Sequence, residues 1–165
     1  MSADLVDIFG PPQRFRSASN ESWRAVEEFV GVRLPVDYKD FVNGYGDSVI
    51  FGHLGIPHPE ANHKLLDFVS DLGKAFLSWQ DPWDESPVDT DLARMIPWAF
   101  HEWNGDICLL DPPRRDEGWS VVVAYRQFPG MGVFPGSVTD FFKLLREGRE
   151  LPSGWPLAGS DWRGG

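Results

Sequence analysis

The sequence predicts an α+β fold in a single domain, and three observations lead to this prediction. Apolar residues recur at helical spacing in several stretches, the longest of which begins at Leu65. Two short apolar runs, 96–100 and 107–110, flank an Asn104-Gly105 pair, the strongest short signal of a β-hairpin. The chain has 165 residues, which suffices for one well-packed core and leaves no room for two.

The N-terminal region is predicted to hold an irregular lead-in and then a helix. Residues 1–18 mix glycine and proline with polar residues, a composition typical of irregular chain. Asn20 is the predicted N-cap of the helix, in which Trp23 and Val26 begin an apolar stripe. Gly31 follows where a left-handed residue commonly ends a helix.

The middle of the chain is predicted to form a helix, a strand and a longer helix. Pro35 is placed to open the first of these, and Gly44 or Gly46 is expected to take a positive φ near its end. The run 49–56 reads as one β-strand, whose glycines indicate bulges or a bend. The long amphipathic helix occupies 65–79.

The C-terminal region is predicted to hold three strands, a last helix and an aperiodic tail. The strands are expected at 96–100, 107–110 and 119–125. Ser137 is the predicted cap of the helix, with Asp140 as its capping-box partner, and Gly148 ends it. Residues 151–165 are rich in Trp, Gly and Pro and are expected to be a strap or a disordered end.

Three segments in this order resemble the SUKH superfamily, which includes the yeast cell-wall synthesis regulator and many bacterial immunity proteins. In the segment that begins at Trp23, the string LPVDYKDFVNGYGD, at 34–47, resembles its Leu-Pro, Asp-Tyr, Phe and Gly pattern. IPWAFHEWNGDICLLD, at 96–111, resembles its hairpin, and FPGSVTDFFKLLREG resembles its closing helix. The acidic insert at 81–91 and the Trp-rich tail depart from the family pattern.

The resemblance implies one SUKH-like domain, at 19–150, with a central mostly antiparallel sheet flanked by helices. The lead-in at 1–18 and the tail at 151–165 lie outside it. Bacterial members of the superfamily commonly neutralise polymorphic toxins, often nucleases or deaminases, and eukaryotic members act as regulatory scaffolds. No catalytic residues follow from the resemblance, because the superfamily is not known for an active site.

The charge balance bears on the class of partner. Fifteen basic and 25 acidic residues leave a formal net charge of −10. Nucleic acids and anionic membrane surfaces are bound through excess Lys and Arg, so neither is expected as a partner. A basic protein is the expected counterpart, because opposite net charge accelerates encounter. The alternative is that the charge only keeps the chain soluble.

Location and chemistry are constrained mainly by what the sequence lacks. The first ten residues carry no cationic apolar run of the kind a signal peptide has, and no apolar run is long enough to cross a membrane. A cytoplasmic location is therefore expected, and Cys108, the single cysteine, is predicted to be a buried, inert thiol. The four histidines have no metal-ligand spacing, and no nucleophile or phosphate-binding motif occurs. We therefore expect no metal, no cofactor and no enzymatic activity.

The candidate partner-binding residues are acidic or aromatic and lie in two loops. They are Asp81, Trp83, Asp84, Glu85, Asp89, Asp91, Trp103 and Asp106. A carboxylate-rich loop can occupy a basic substrate cleft as a phosphate mimic, and exposed tryptophans dominate binding energy. The alternatives are a merely solvated loop and an Asp106 that accepts hydrogen bonds from turn amides.

The predicted function is that of an immunity protein, which binds and neutralises a secreted toxin domain, most simply of the nuclease type. One alternative is a regulatory scaffold without a toxin. Another is a small-ligand or glycan binder built on the tryptophans, namely Trp79, Trp83, Trp98, Trp103, Trp119, Trp155 and Trp162. Against that alternative, Trp79, Trp98 and Trp119 are also candidates for the core.

Overall fold

Five helices and seven strands make up the part of the chain that the structure, a computed structural model, describes. That part comprises residues 3–12, 17–60, 64–79, 94–113, 118–127, 130–148, 150–156 and 163–164. The helices are α1 (Ala3–Phe9), α2 (Asn20–Val30), α3 (Val36–Tyr45), α4 (Leu65–Trp79) and α5 (Val138–Glu147). The strands are β1 (Ser48–Ile50), β2 (Leu54–Ile56), β3 (Ile96–His101), β4 (Ile107–Asp111), β5 (Ser120–Ala124), β6 (Met131–Pro135) and β7 (Arg163–Gly164).

The strands form one antiparallel sheet in the order β6-β5-β4-β3-β2-β1-β7. Successive side chains of β4 and β5 point to opposite faces, as the pleat requires. Cys108 and Val123 belong to the larger core with α1, α2, α3 and α5. Leu109 and Val122 belong to a smaller cluster, into which α4 packs Phe68. The α+β prediction is confirmed, and the central sheet is buried on both faces.

Helix α1 corrects the prediction of an irregular lead-in. Leu5 and Phe9 lie four residues apart, so both fall on one helical face and both are buried. The Phe9 ring packs against Phe41, Phe51 and Phe142 at centroid distances of 5.7, 5.3 and 5.3 Å. One helical turn of apolar spacing was too short a signal in a segment that also contains Pro11 and Pro12.

The run 49–56 is a two-stranded hairpin and not the single predicted strand. Phe51 and Gly52 take φ values of 53° and 79°, and the His53 amide donates to the Ile50 carbonyl at 3.2 Å. These positive φ values close a tight turn, which reverses the chain between β1 and β2. Glycine in the run marked this turn, and its other turn residue is a phenylalanine, a type that rarely marks one.

Side-chain caps and left-handed glycines define the ends of α2 and α5. The Ser19 hydroxyl accepts the Ser22 amide at 3.2 Å, so the N-cap of α2 is Ser19 and the prediction of Asn20 is wrong by one residue. Ser137 and Asp140 form a complete capping box at α5, as predicted. Gly31 and Gly148 end α2 and α5 in the left-handed conformation, also as predicted.

The end of α3 differs from its prediction. Gly46 takes a φ of −69°, Gly44 lies within the helix, and Asp47 adopts the positive φ, at 57°. Glycine is needed at 46 for space and not for conformation. A Cβ there would lie 2.5 Å from the Val42 carbonyl oxygen.

The strands at 96–100, 107–110 and 119–125 are confirmed as β3, β4 and β5, with ends shifted by a residue or so. Strand β6 was not predicted, because Gly132 and Pro135 are poor strand formers that are tolerated on an edge. The tail is partly a strap, since Trp155 is buried in the main core and β7 pairs with β1. None of the described helices is both long enough and apolar enough to span a bilayer.

Candidate functional site

Two hairpin turns and the C-terminal strap bring five side chains together at one edge of the core. They are His53, His101, Trp103, Asp106 and Trp155, here called the histidine–tryptophan cluster. The β1–β2 turn supplies His53, and the end of β3 with its following turn supplies His101, Trp103 and Asp106. The turns are joined by the Glu102 amide, which donates to the His53 carbonyl at 2.8 Å.

A strained turn positions His53. Phe51 sits at a φ of 53°, in the left-handed region that costs a residue with a Cβ on the order of 1–3 kcal/mol. The Phe51 ring is buried against Phe9 and Phe142, and this packing holds the turn in place. The Phe51 carbonyl lies 2.9 Å from Nδ1 of His53. A carbonyl oxygen only accepts, so Nδ1 of His53 carries the proton and Nε2 carries the lone pair.

His101 supports the turn that carries Trp103. Its Nδ1 accepts the amides of Trp103 and Asn104 at 3.2 and 3.3 Å. Two donors on one nitrogen assign the lone pair to Nδ1 and the proton to Nε2, the opposite of His53. Gly105 completes the turn at a φ of +80°, and the predicted Asn104-Gly105 turn is thereby confirmed.

Both imidazole rings are buried and uncharged. The exposed fractions of His53 and His101 are 1% and 2%, and their ring centroids lie 4.5 Å apart. Among the described residues, neither Nε2 atom has a hydrogen-bond partner. Burial lowers the pKa of His53. Burial, together with the repulsion that a protonated His53 would exert, lowers the pKa of His101 to about 4, and the Asp106 carboxylate opposes this in part. A second proton, which would charge either ring, is therefore strongly disfavoured in this fold.

Asp106 and Trp155 close the buried side of the cluster, opposite the solvent-exposed Trp103. The Asp106 carboxylate accepts the Arg126 amide at 3.0 Å and the Trp155 indole N–H at 2.9 Å. The Trp155 ring lies 5.0 Å from His101 and 5.5 Å from His53. This hydrogen bond joins the strap to the β3–β4 turn.

Trp103 is the one exposed member of the cluster. Its side chain is 67% exposed, and its ring centroid lies 5.7 Å from that of His53 and 5.8 Å from that of His101. One side of the indole therefore rests on two buried rings while the remainder faces solvent. A large aromatic side chain that is already held in place loses little conformational freedom when a partner covers it.

The predicted partner-binding residues fall into three groups. Asp81, Trp83, Asp84, Glu85, Asp89 and Asp91 lie outside the described residues. Trp103 is exposed, as the prediction requires. Asp106 is only 1% exposed with both oxygens engaged, so the prediction that it faces a partner is wrong. It accepts from main-chain and indole N–H groups instead, because a buried carboxylate must be hydrogen-bonded.

The tryptophans divide between core and surface. Trp98 is fully buried and Trp119 is partly buried against the main core, which agrees with the core alternative for both and not with a binding surface. Trp155 is a candidate for the binding surface by sequence, and this prediction is wrong, because the Trp155 side chain is buried in the core. The side chain of Trp79 and the whole of Trp83 and Trp162 lie outside the described part of the chain. Trp103 is the single exposed tryptophan among those whose side chains are described.

The sequence suggests no role for His53 and His101 other than that of metal ligands, and it does not predict that they support Trp103. The available signal was local, since each histidine borders a turn that contains glycine. Within the described ranges, no three His, Cys, Asp or Glu side chains come together in a way that could hold a metal ion. Nδ1 of His101 is also occupied by two amide donors, which leaves its protonated Nε2 unsuited to bind a cation.

An open groove between α2 and α3 is the other notable surface feature. Arg24, Arg33 and Lys39 line it together with Glu27, Glu28 and Asp40. Lys39 pairs with Glu27 at 2.9 Å, so part of this charge is satisfied internally. The groove carries equal numbers of each sign and selects no class of ligand by charge.

In comparisons with known proteins, no protein-family model, no curated protein and no solved structure matches the chain. The resemblance to the SUKH superfamily therefore stays a prediction from the sequence motifs.

Proposed function

We propose that this chain is a protein-binding domain that neutralises a basic toxin, most simply a nuclease-type toxin, through a surface centred on Trp103. The observation that carries the proposal is the exposed Trp103 indole seated on two buried histidine rings. Tryptophan is among the residues most enriched at the energetic centres of protein interfaces. A tryptophan so exposed on a firmly held turn is a suitable anchor for a partner.

The rigidity of the turn supports a binding role. The Trp103 amide is held by His101, the Glu102 amide by the His53 carbonyl, and the Asp106 amide by the Asn104 side chain at 2.9 Å. These bonds preorganise the turn, so that association need not order it. An exposed tryptophan on a mobile segment would give up more of its binding energy to ordering.

Charge supports a basic partner. The net charge of −10 favours encounter with a cationic surface, and Glu102, next to Trp103, is exposed. A nuclease presents a basic cleft to its substrate, which a carboxylate-bearing surface can cover. The acidic residues at 81–91 add negative charge that favours the same basic partner, and this support comes from the sequence alone.

The glycan-binding alternative has less support. A sugar platform uses several exposed aromatic faces, and among the described side chains Trp103 is the only exposed tryptophan. The regulatory scaffold differs from the immunity protein in its partner and not in its surface. Identification of the partner therefore separates these two functions.

The test is co-expression with the toxin encoded by the neighbouring gene, followed by affinity measurement on the purified pair. We expect relief of growth arrest and a stable complex at pH 7.5. Trp103→Ala should weaken that complex about 30-fold, the equivalent of a hot spot worth ~2 kcal/mol. Phe29→Ala is the matched control, because Phe29 is an aromatic residue that is 56% exposed on α2, away from the cluster.

Unchanged circular dichroism in both variants would show that neither substitution unfolds the chain. No relief of growth arrest together with no complex would contradict the toxin proposal. If Trp103→Ala leaves the complex intact, the toxin-binding function stands, but the binding surface is not centred on Trp103.

A further inference from the structure

His53 and His101 are two buried, uncharged bases placed directly beneath the exposed Trp103. Each Nε2 atom is buried and has no hydrogen-bond partner within the described part of the chain. Each Nδ1 atom is used, one as a donor to Phe51 and one as an acceptor from Trp103 and Asn104. The cluster therefore depends on one specific protonation state of both rings.

A second proton cannot enter His101 without breaking its contacts. Because Nε2 already carries a proton, the added proton must go to Nδ1, which accepts the Trp103 and Asn104 amides. Three N–H groups would then point at one another. The turn would have to move, and Trp103 would move with it.

On His53 the added proton would go to Nε2 and create a charge inside the core. The His101 ring, 4.5 Å away, and the Trp155 ring, 5.5 Å away, offer it no carbonyl or carboxylate acceptor. Solvation of that charge requires water, and water reaches Nε2 only if the cluster opens. Either protonation therefore favours an open arrangement.

The other titratable and charged groups around the cluster offset only part of the cost of protonating a buried histidine. Asp106, on the same turn as Trp103, raises the pKa of His101, but the lowering by burial and by His53 is larger. Cys108 of β4 is buried beside Asp106, and burial raises its pKa, so it stays a neutral thiol. From the β5–β6 turn, Arg126 lies against Gly105, while α5 and the strap contribute the uncharged rings of Phe141 and Trp155.

We propose that His53 and His101 form a proton-operated latch, which holds the Trp103 turn closed while both rings are neutral and opens it when either ring takes up a proton. Its consequence for binding rests on the proposed function, since the same turn would carry the partner anchor. The protein would then release its partner in mildly acidic solution and retain it near neutral pH.

The latch is tested on the free chain by amide hydrogen exchange at Trp103 and Asn104, corrected for the intrinsic exchange rate at each pH. An open histidine has an ordinary pKa near 6.5 and the closed His101 one of about 4, so the open fraction should rise about 30-fold between pH 7.5 and pH 5. The Gly31 amide, which donates to the main-chain Glu27 carbonyl at 2.9 Å at the end of α2, is the internal reference, because its acceptor does not titrate.

The double variant His53→Asn and His101→Asn removes both titrations and keeps one hydrogen-bonding group at each Nδ1 position. It should lose the pH dependence at Trp103 and Asn104, whereas His58→Asn should leave it unchanged. Equal protection at both pH values in the unmodified chain would overturn the latch. So would a double variant that opens as the unmodified chain does.

Histidine ring spectra of the unmodified chain provide a check that needs no variant. A folded His101 that titrates near pH 6.5 without a change at Trp103 would overturn the latch, and protonation coupled to opening would support it. Failure to bind the toxin at pH 7.5 would contradict the proposed function alone. A stable complex at pH 7.5, together with exchange at Trp103 and Asn104 that does not change between pH 7.5 and pH 5, would contradict the latch alone.

Discussion

The Trp155 indole nitrogen donates to Oδ2 of Asp106 at 2.9 Å and joins residues 49 positions apart in the chain. Both side chains are buried, so this bond fastens the C-terminal strap to the turn that carries Trp103. The strap thereby becomes part of the cluster and not a separate tail.

Trp155→Phe should lower the free energy of unfolding by roughly 1–3 kcal/mol, because it leaves a buried carboxylate oxygen without its indole donor. Equilibrium denaturation in urea measures the change. Trp103→Phe is the control and should alter stability by less than about 0.5 kcal/mol, because that ring is mostly exposed. Equal effects of the two substitutions would show that the hydrogen bond contributes nothing.

Global stability should fall as the solution is acidified from pH 7.5 to pH 5. Burial lowers the pKa of both His53 and His101 in the folded state, so below pH 6.5 the unfolded chain binds more protons. The stabilisation is thus complete above pH 6.5 and is lost as pH falls toward about 4. The expected loss by pH 5 is ~1–2 kcal/mol after allowance for screening.

Urea denaturation at pH 7.5, 6 and 5 measures this slope. The double variant His53→Asn and His101→Asn should show a flatter slope than the unmodified chain. Hydrogen bonds from Ser19 and Ser22 lower the pKa of Glu60 to about 2, an effect confined to solutions more acidic than this range. A slope of the same size in the double variant would assign it to other groups.

Gly46→Ala should destabilise the chain by about 1–3 kcal/mol through overpacking. A Cβ at this position would lie 2.5 Å from the main-chain oxygen of Val42, which cannot rotate away. Gly118→Ala is the control, since a Cβ there has no neighbour within 4 Å. Thermal unfolding of both variants separates the two, and a stable Gly46→Ala would mean that the end of α3 shifts without cost.

Cys108 should be inert toward thiol reagents in the folded chain. Its side chain is fully buried, and burial raises its pKa well above the ordinary value, so little thiolate forms. A colorimetric disulfide reagent at pH 8 should react slowly with the native chain and at once with the urea-denatured chain. Rapid labelling of the native chain would show that β4 opens locally.

Elements whose signals lie within a few residues were predictable from the sequence. The capping box of α5 uses a serine and an aspartate three positions apart, and α4 follows an uninterrupted apolar period. Helix α1 was missed because one turn of apolar spacing is a weak signal. Strand β6 was missed because its glycine and proline argue against a strand until its edge position is known.

Of the residues in the candidate site, only Trp103 was placed correctly by the sequence prediction. Exposure of Trp103 followed from its place in a turn marked by Asn104-Gly105, which is information local to the chain. The interior position of Asp106 did not follow, because it depends on Trp155, and nothing near Asp106 in the sequence indicates that contact. The pairing of His53 with His101 likewise depends on the pairing of β2 with β3.

The sequence by itself therefore determined the α+β class, the negative charge and most of the local elements, because caps, turns and apolar periods act over a few residues. Only the tertiary structure decided that two histidines meet beneath Trp103 and that the strap closes over Asp106. Those contacts form when β1, β2 and β3 pair and the C-terminal chain packs into the core. Such long-range packing is selected by the burial of the whole sheet and leaves no mark in any short segment.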